Sequence, residues 1–174
     1  MWFRFLFVSL YQKGNQRYKT MDTESRNNFL HRLSNIIDDY ADNYNLFNGG
    51  CCYAAAVIAK ALETLRINYD VRLFQYNEII QEVDFNSAIN GNCIAHVAIA
   101  VEMNEEWRTI GDCEGVYNFF EDSGYPYSVK QYKNITPEQL LEGYMENRWN
   151  SCYDTRLNKF LSKDINNLVD AFLF

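Results

Sequence analysis

The sequence has only two histidines, His31 and His96, among its 174 residues. Its five cysteines are an odd number without regular spacing, and no two of them form a Cys-x-x-Cys pair. These absences argue against a disulfide framework and favour reduced thiols in a reducing, cytoplasmic compartment. The scarcity of histidine also leaves few candidates for a general base in catalysis.

An excess of positive charge is also missing, since the formal net charge is −7. Such a chain is a poor partner for nucleic acid or for an anionic membrane. The apolar stretch "MWFRFLFVSLYQ" is too short to cross a bilayer, is interrupted by Arg4 and lacks the small-residue cleavage site of a signal peptide. We therefore expect residues 1–20 to be an N-terminal extension without a targeting role, with Met21 as an alternative start.

Apolar residues make up 48% of the chain and aromatic residues 16%, which is enough for a buried core. The hydrophobic pattern predicts a single α+β domain over 1–174, with helices packed on an antiparallel β-sheet. Its parts are the extension, a core over 21–133 and C-terminal helices over 134–174. Helices are predicted over 22–44 and 51–66 and from the capping box of Thr136 and Gln139 onward, and strands over 70–76, 94–102, 107–112 and 127–133.

Two adjacent cysteines, Cys51 and Cys52, open the predicted helix of the stretch "NGGCCYAAAVIAK". The N–H groups at a helix N-terminus carry partial positive charge, which favours a thiolate over a thiol. The preceding glycines allow a sharp turn and a close approach of a substrate to the backbone. A nucleophilic cysteine requires these properties, although a buried cysteine is also a common packing residue.

A nucleophilic cysteine needs a base, and His96 lies in the middle of the predicted strand "IAHVAIAVE". Alternation places His96 on one face with two alanines, which would allow the alanine-rich helix to approach closely. The next strand, "WRTIGD", ends at Asp112. If Val101 pairs with Trp107, Asp112 lies directly opposite His96 and within reach of its imidazole. A shift by one residue would place Asp112 on the other face.

Helical geometry favours Cys51 over Cys52 as the nucleophile. Steps of three, four and seven residues from Cys51 follow an apolar stripe, the face expected to meet the sheet and His96. From Cys52 the same steps reach alanines, but the steps of eleven and fourteen residues reach the polar Glu63 and Arg66. Cys52 remains the alternative nucleophile because it precedes an aromatic residue, as the nucleophile of papain-type motifs does.

The segments "GGCCYAAAVIAKALETLRINYDV", "HVAIAV" and "WRTIGD" together resemble the transglutaminase-like branch of the papain-like cysteine enzymes. That family places a glycine-preceded cysteine at the start of a buried helix, with histidine and aspartate on successive antiparallel strands. The order is matched by Cys51, His96 and Asp112, and the resemblance covers about residues 45–115. It implies a papain-like core with a Cys-His-Asp catalytic triad.

The predicted function is acyl transfer through a thioester of Cys51, with His96 moving the proton and Asp112 fixing the imidazole. The substrate would be a peptide, a protein or a small amide or ester. Resolution of the thioester by water would make the chain a peptidase or amidase, and resolution by an amine a transglutaminase-like enzyme. The backbone N–H of the nucleophile and the side chain of Asn48, or less readily Asn45, are candidate oxyanion donors. No cofactor and no metal are expected.

Two other functions fit the same residues. Cys93, His96 and Cys113, with one of the adjacent cysteines, would supply a zinc-binding set, although Cys93 and His96 would point to opposite faces of a strand. Alternatively, the chain is a non-catalytic interaction protein that retains only the fold. The second histidine, His31, is expected to face solvent on the first helix.

Overall fold

The computed structural model describes residues 21–46, 49–76, 85–90, 94–103, 105–111, 127–146 and 154–174. This part of the chain combines helices with strands and belongs to the α+β class, as predicted. The helices are α1 (Thr23–Tyr44), α2 (Cys51–Thr64), α3 (Phe85–Asn90), α4 (Pro137–Glu146) and α5 (Asn158–Leu173), the last preceded by a 3-10 turn over Thr155–Leu157. The strands are β1 (Asp70–Tyr76), β2 (Ile94–Met103), β3 (Glu106–Ile110) and β4 (Tyr127–Tyr132).

The four strands form one antiparallel sheet in the order β3-β2-β1-β4. Strands β1 and β2 lie in the middle, and one face of them is buried in the hydrophobic core at Val71, Leu73, Val97, Ile99 and Val101. These branched aliphatic side chains suit a pleated surface that is covered by a helix. Helix α2 packs against β2 and also contacts α4 and α5. The central helix is therefore held against the strand that carries the candidate histidine.

Helix α1 begins and ends at residues that favour those positions. The Asp22 carboxylate accepts a hydrogen bond from the backbone N–H of Ser25 at 2.8 Å, which is an N-cap contact. At the other end Asn45 has a φ of 54°, a left-handed conformation that ends the helix. One face of α1 contributes to the core through Phe29, Leu30, Leu33, Ile37 and Tyr40.

The capping box predicted at the start of α4 is confirmed. The backbone N–H of Gln139 donates to the Thr136 hydroxyl at 3.3 Å, and the Thr136 N–H donates to the Gln139 side chain at 3.0 Å. Helix α3, by contrast, has no counterpart among the predicted elements, because six residues are too few to show a helical repeat. A tertiary contact holds it, since the rings of Phe85 and Tyr132 lie 5.4 Å apart between centroids.

The predicted pairing of β2 with β3 is wrong by one residue. Val101 pairs with Arg108 and not with Trp107, and the two strands are joined by a two-residue turn. Glu105 in that turn has a φ of 67°. Two-residue turns with positive φ match the twist of the flanking strands, which favours them over the odd number of loop residues that the predicted register required.

This correction concerns Asp112. Strand β3 ends at Ile110, and Gly111 after it has a φ of 85°, outside the strand conformation. The described hairpin therefore does not adopt the register in which Asp112 would face His96. Asp112 itself lies outside the described residues, so its catalytic role stays a prediction.

Several other predictions fall outside the described part of the chain. The extension over residues 1–20 is one of them, and its role stays a prediction. Within the ranges given above, none of the helices combines the length and the apolar character needed to cross a membrane.

Candidate catalytic site

Helix α2 begins at Cys51 directly after a glycine turn. Gly49 has a φ of 106°, which favours glycine, and the N–H of Gly50 donates to the Leu46 carbonyl at 2.8 Å. Gly50 is the N-cap residue, and no side chain of the described residues caps the helix there. The partial positive charge of the first N–H groups of α2 therefore acts next to the Cys51 sulfur.

The two cysteines have different surroundings. Cys51 is partly exposed, whereas the side chain of Cys52 is only 6% exposed. Glu63 and Arg66, on the Cys52 side of the helix, are exposed as predicted. The stripe that follows Cys51 is buried, at Ala54, Ala55, Ile58, Leu62 and Leu65. Cys51 is thus the more accessible of the two thiols, whereas Cys52 belongs to the hydrophobic core.

His96 lies on strand β2, next to a local irregularity of the sheet. Phe74 pairs with His96, but the following residue, Gln75, pairs with Ile94, so Ala95 is an extra residue in β2. A bulge of this kind bends the strand and re-aims the side chains beside it. The His96 side chain is only 2% exposed, and its ring packs against the Phe74 ring with 5.5 Å between centroids.

A backbone carbonyl orients the imidazole of His96. The ring Nε2 lies 2.8 Å from the carbonyl oxygen of Gly111. Because a carbonyl oxygen only accepts hydrogen bonds, Nε2 carries the proton of this contact. The ring also forms a hydrogen bond with the Cys51 sulfur, and Nδ1 is the nitrogen left to make it. The histidine therefore bridges the sulfur and a main-chain oxygen.

The Cys51 thiol is strongly acidified. A hydrogen bond from the Cys52 thiol, and next the hydrogen bond and charge of His96, hold the pKa of Cys51 well below its usual value against the opposing effect of burial. The backbone N–H of Val97 donates a further hydrogen bond to the sulfur. Val97 lies two residues before Ile99, the first residue of β2 that pairs with β3. The backbone N–H that binds the thiolate therefore lies just outside the part of β2 that pairs with β3.

Cys52 has the opposite character. Its hydrogen bond to Cys51, followed by burial and the charge of the neighbouring sulfur, raises the pKa of Cys52 well above its usual value. A thiol that remains protonated can donate to an adjacent thiolate, but it is a weak nucleophile. Cys51 is therefore the thiolate of the pair, and Cys52 is its hydrogen-bond donor.

The structure brings Cys51 and His96 together, but it does not do so for every predicted site residue. Asn45 ends α1 and is exposed, so its conformation has a structural cause. Asn48 and Asp112 lie outside the described residues, and their predicted roles as oxyanion donor and orienting acid stay predictions.

The alternative zinc site is only partly covered by the described residues. Cys93 and Cys113, two of its ligands, lie outside them. Within the described ranges, no three His, Cys, Asp or Glu side chains are arranged to hold a metal ion. His31, the other histidine, is exposed on α1 as predicted.

Three groups at the site could not be predicted from the sequence: the Gly111 carbonyl, the Val97 N–H and the Phe74 ring. Main-chain groups have no residue-type signal, because every residue carries them. A glycine inside the predicted strand over 107–112, near its end, is the one visible trace of the first of these groups. The contact of Phe74 with His96 depends on the β1–β2 register, which no local pattern specifies.

The fold and the site together define an α+β chain with an acidified cysteine beside an oriented histidine. No protein family, no curated protein and no solved structure matches this chain. Its function is therefore inferred from the chemistry of the site.

Gly111→Ala is expected to lower both the stability of the protein and the reactivity of Cys51. Gly111 has a φ of 85°, a conformation that costs other residues about 1–3 kcal/mol. An added Cβ would meet the Ile58 side chain at 3.5 Å, an ordinary contact, so the cost comes from the backbone. Relief of this strain moves the carbonyl away from His96. Urea unfolding and the rate of iodoacetamide labelling measure the two effects.

Ile110→Val is the matched control for this variant. The loss of one methylene at the neighbouring buried position costs about 0.5–1.5 kcal/mol. This substitution should lower stability and leave the labelling rate unchanged, because it does not alter the backbone at Gly111. Equal labelling rates for Gly111→Ala and the unmodified protein would show that the Gly111 carbonyl does not set the reactivity of Cys51.

Proposed function

We propose that the chain is a cysteine-dependent acyl-transfer enzyme with a papain-like or transglutaminase-like core, acting on an amide or ester through a thioester. The observation that supports it most is the position of His96. The imidazole contacts the Cys51 sulfur, and its Nε2 is hydrogen-bonded to the Gly111 carbonyl. A thiolate beside an oriented imidazole is the arrangement that nucleophilic catalysis by cysteine requires. The substrate is a peptide, a protein or a small amide or ester.

In the proposed reaction, the Cys51 thiolate attacks the carbonyl carbon of the substrate and a negative charge develops on the carbonyl oxygen. The N–H groups at the start of α2 stabilise that charge. His96 donates its Nδ1 proton to the leaving amine or alcohol, and a thioester remains. A water molecule then gives a proton to His96 and attacks the thioester, which releases the acid and restores the thiolate. An amine in place of water makes the reaction a transfer.

Two neighbours of His96 support this mechanism. The Phe74 ring packs against the imidazole, and the His96 side chain is only 2% exposed. The Gly111 carbonyl by itself orients the ring, so a Cys-His pair satisfies the mechanism. Asp112 is proposed to reinforce that orientation, and Asn48 is proposed as a further oxyanion donor.

The test is single-turnover acylation by an activated ester such as p-nitrophenyl acetate. We expect a burst of one equivalent of nitrophenolate and an acetyl group on Cys51 that hydroxylamine removes. Because the pKa of Cys51 is lowered, acylation should persist as the pH falls. For a thiol of ordinary pKa, the fraction present as thiolate falls about 75-fold from about pH 8 to about pH 6.

A synthetic peptide of residues 48–60 is the matched control, because it contains both cysteines but lacks His96. Its acylation rate should follow the ordinary pH dependence of a thiol. If the protein reacts no faster than this peptide at any pH, the proposal is wrong and the non-catalytic interaction protein is favoured.

A further inference from the structure

Cys52 is a second thiol at the site for which acyl transfer has no chemical step. It directly follows Cys51 in the chain, its side chain is 6% exposed, and both cysteines are free thiols. Cys51 is partly exposed, so a small oxidant reaches it first. One accessible and one sheltered free thiol on adjacent residues are the elements of a reversible oxidation site.

We propose that Cys51 and Cys52 form such a site, in which a hydroperoxide oxidises Cys51 and Cys52 then closes a disulfide between the adjacent residues. The proposal rests on the proposed function only in that both use Cys51 as a reactive thiolate. It assigns Cys52 a role as the resolving thiol.

The chemistry proceeds in two balanced steps. The Cys51 thiolate attacks one peroxide oxygen, an S–O bond forms as the O–O bond breaks, and the leaving oxygen takes a proton to become water or an alcohol. Cys51 is then a sulfenic acid. Oxidation removes the negative charge on Cys51 that helped to keep Cys52 protonated. The Cys52 sulfur then attacks the Cys51 sulfur, the S–O bond breaks, and the released hydroxide takes the Cys52 proton to become water. Two thiols lose two electrons in total, and the peroxide gains them.

The backbone predicts that this disulfide is strained and easily reduced. Consecutive Cα atoms lie about 3.8 Å apart across a trans peptide, whereas ordinary disulfides join Cα atoms about 4.4–6.8 Å apart. Strained disulfides have higher reduction potentials and are the labile ones. Both residues are helical in the reduced protein, so closure of the ring must distort the first turn of α2.

That distortion links oxidation to the catalytic site. The Cys51 sulfur receives hydrogen bonds from two adjacent residues of β2, namely from the His96 ring and the Val97 N–H. A sulfur bonded to Cys52 is neither a nucleophile nor an acceptor for these donors. Oxidation therefore switches off the thiolate, and reduction restores it, while the adjacent thiol protects Cys51 from further oxidation.

The experiment treats the reduced, full-length protein and its Cys52→Ser variant with hydrogen peroxide. Mass spectrometry of the peptide that contains both positions should show the loss of two hydrogen atoms in the unmodified protein, reversed by dithiothreitol. In Cys52→Ser the same peptide should instead gain oxygen, first as a dimedone-reactive sulfenic acid and then as a sulfinic acid that dithiothreitol does not reduce. Cys51→Ser should show neither product.

Two results would overturn the proposal: oxygen gain by the unmodified protein at the same rate as Cys52→Ser, or a disulfide from Cys51 to a different cysteine. The mass readout requires no acylation assay, so it is independent of the proposed enzyme activity. Disulfide formation in a protein that fails to react with activated esters would support the oxidation site and contradict the acyl-transfer function. Acylation without the disulfide would support the acyl-transfer function and contradict the oxidation site.

Discussion

Cys51→Ser is expected to abolish thioester formation, with a loss of about 10⁴-fold or more in the acylation rate. A serine hydroxyl is not ionised near neutral pH, and the donors around position 51 are arranged to stabilise a thiolate. The substitution changes one atom at a partly exposed position, so the variant should fold. The burst of nitrophenolate measures acylation, and iodoacetamide labelling shows which cysteine has lost its reactivity.

Two substitutions of Cys52 serve as controls for this result. Cys52→Ala removes the donor that contributes most to lowering the pKa of Cys51, so that pKa should rise. Labelling of Cys51 at about pH 6 should then slow, while labelling at about pH 9 persists, because an ordinary thiol is ionised only at the higher pH. Cys52→Ser retains a hydroxyl donor and should show the smaller change of the two.

The identity of the fast-reacting cysteine distinguishes the two possible nucleophiles. Rapid labelling and acylation that persist in Cys51→Ser and disappear in Cys52→Ser would make Cys52 the nucleophile. That outcome would contradict the assignment drawn from exposure and from the hydrogen bonds to Cys51. Slow labelling of both thiols would contradict the enzyme proposal itself.

His96→Gln is expected to lower the acylation rate by about 10²–10⁴-fold, the usual effect of losing a general acid or base. Glutamine is similar in size, and its amide N–H can still donate to the Gly111 carbonyl, so the buried oxygen keeps a partner. The variant also removes the hydrogen bond and charge that His96 provides to Cys51. The labelling rate should therefore fall most steeply at mildly acidic pH.

His31→Gln is the matched control, because it replaces the other histidine at an exposed position of α1. It should leave both the acylation rate and its pH dependence unchanged. His96→Ala is less informative, since it leaves a cavity beside Phe74 and a buried carbonyl without its donor, which costs about 1–3 kcal/mol for the carbonyl alone. Urea unfolding of all three variants separates loss of stability from loss of chemistry.

A folded His96→Gln variant that acylates at the rate of the unmodified protein would contradict the proposed mechanism. If the glutamine variant fails to fold although its size and donor are conserved, His96 is better explained as a structural residue of the sheet. The pH profile provides an independent check, because a structural role would not alter the ionisation of Cys51.

Local patterns predicted most elements on which the site depends. Helix α2 begins at Cys51 because two glycines precede an alanine-rich run, and strand β1 covers the predicted residues 70–76. Such signals depend on the spacing of apolar residues and on turn residues, which act within a few positions of the chain. The partner of His96 could not be predicted in this way. An alternating strand pattern allows two registers, and the choice between them depends on the conformation of the short turn at Glu105.

By itself, the sequence determined that a cysteine stands at a helix start and a histidine inside a strand, since both follow from local conformational preferences. Only the tertiary structure decided which groups meet these side chains. The packing of α2 on β2 brings the Cys51 sulfur to His96, and the bulge at Ala95 changes the strand beside that histidine. The end of β3 then supplies the Gly111 carbonyl to its ring. These partners are distant in the chain or belong to the main chain, and neither kind of contact leaves a local pattern of residue types.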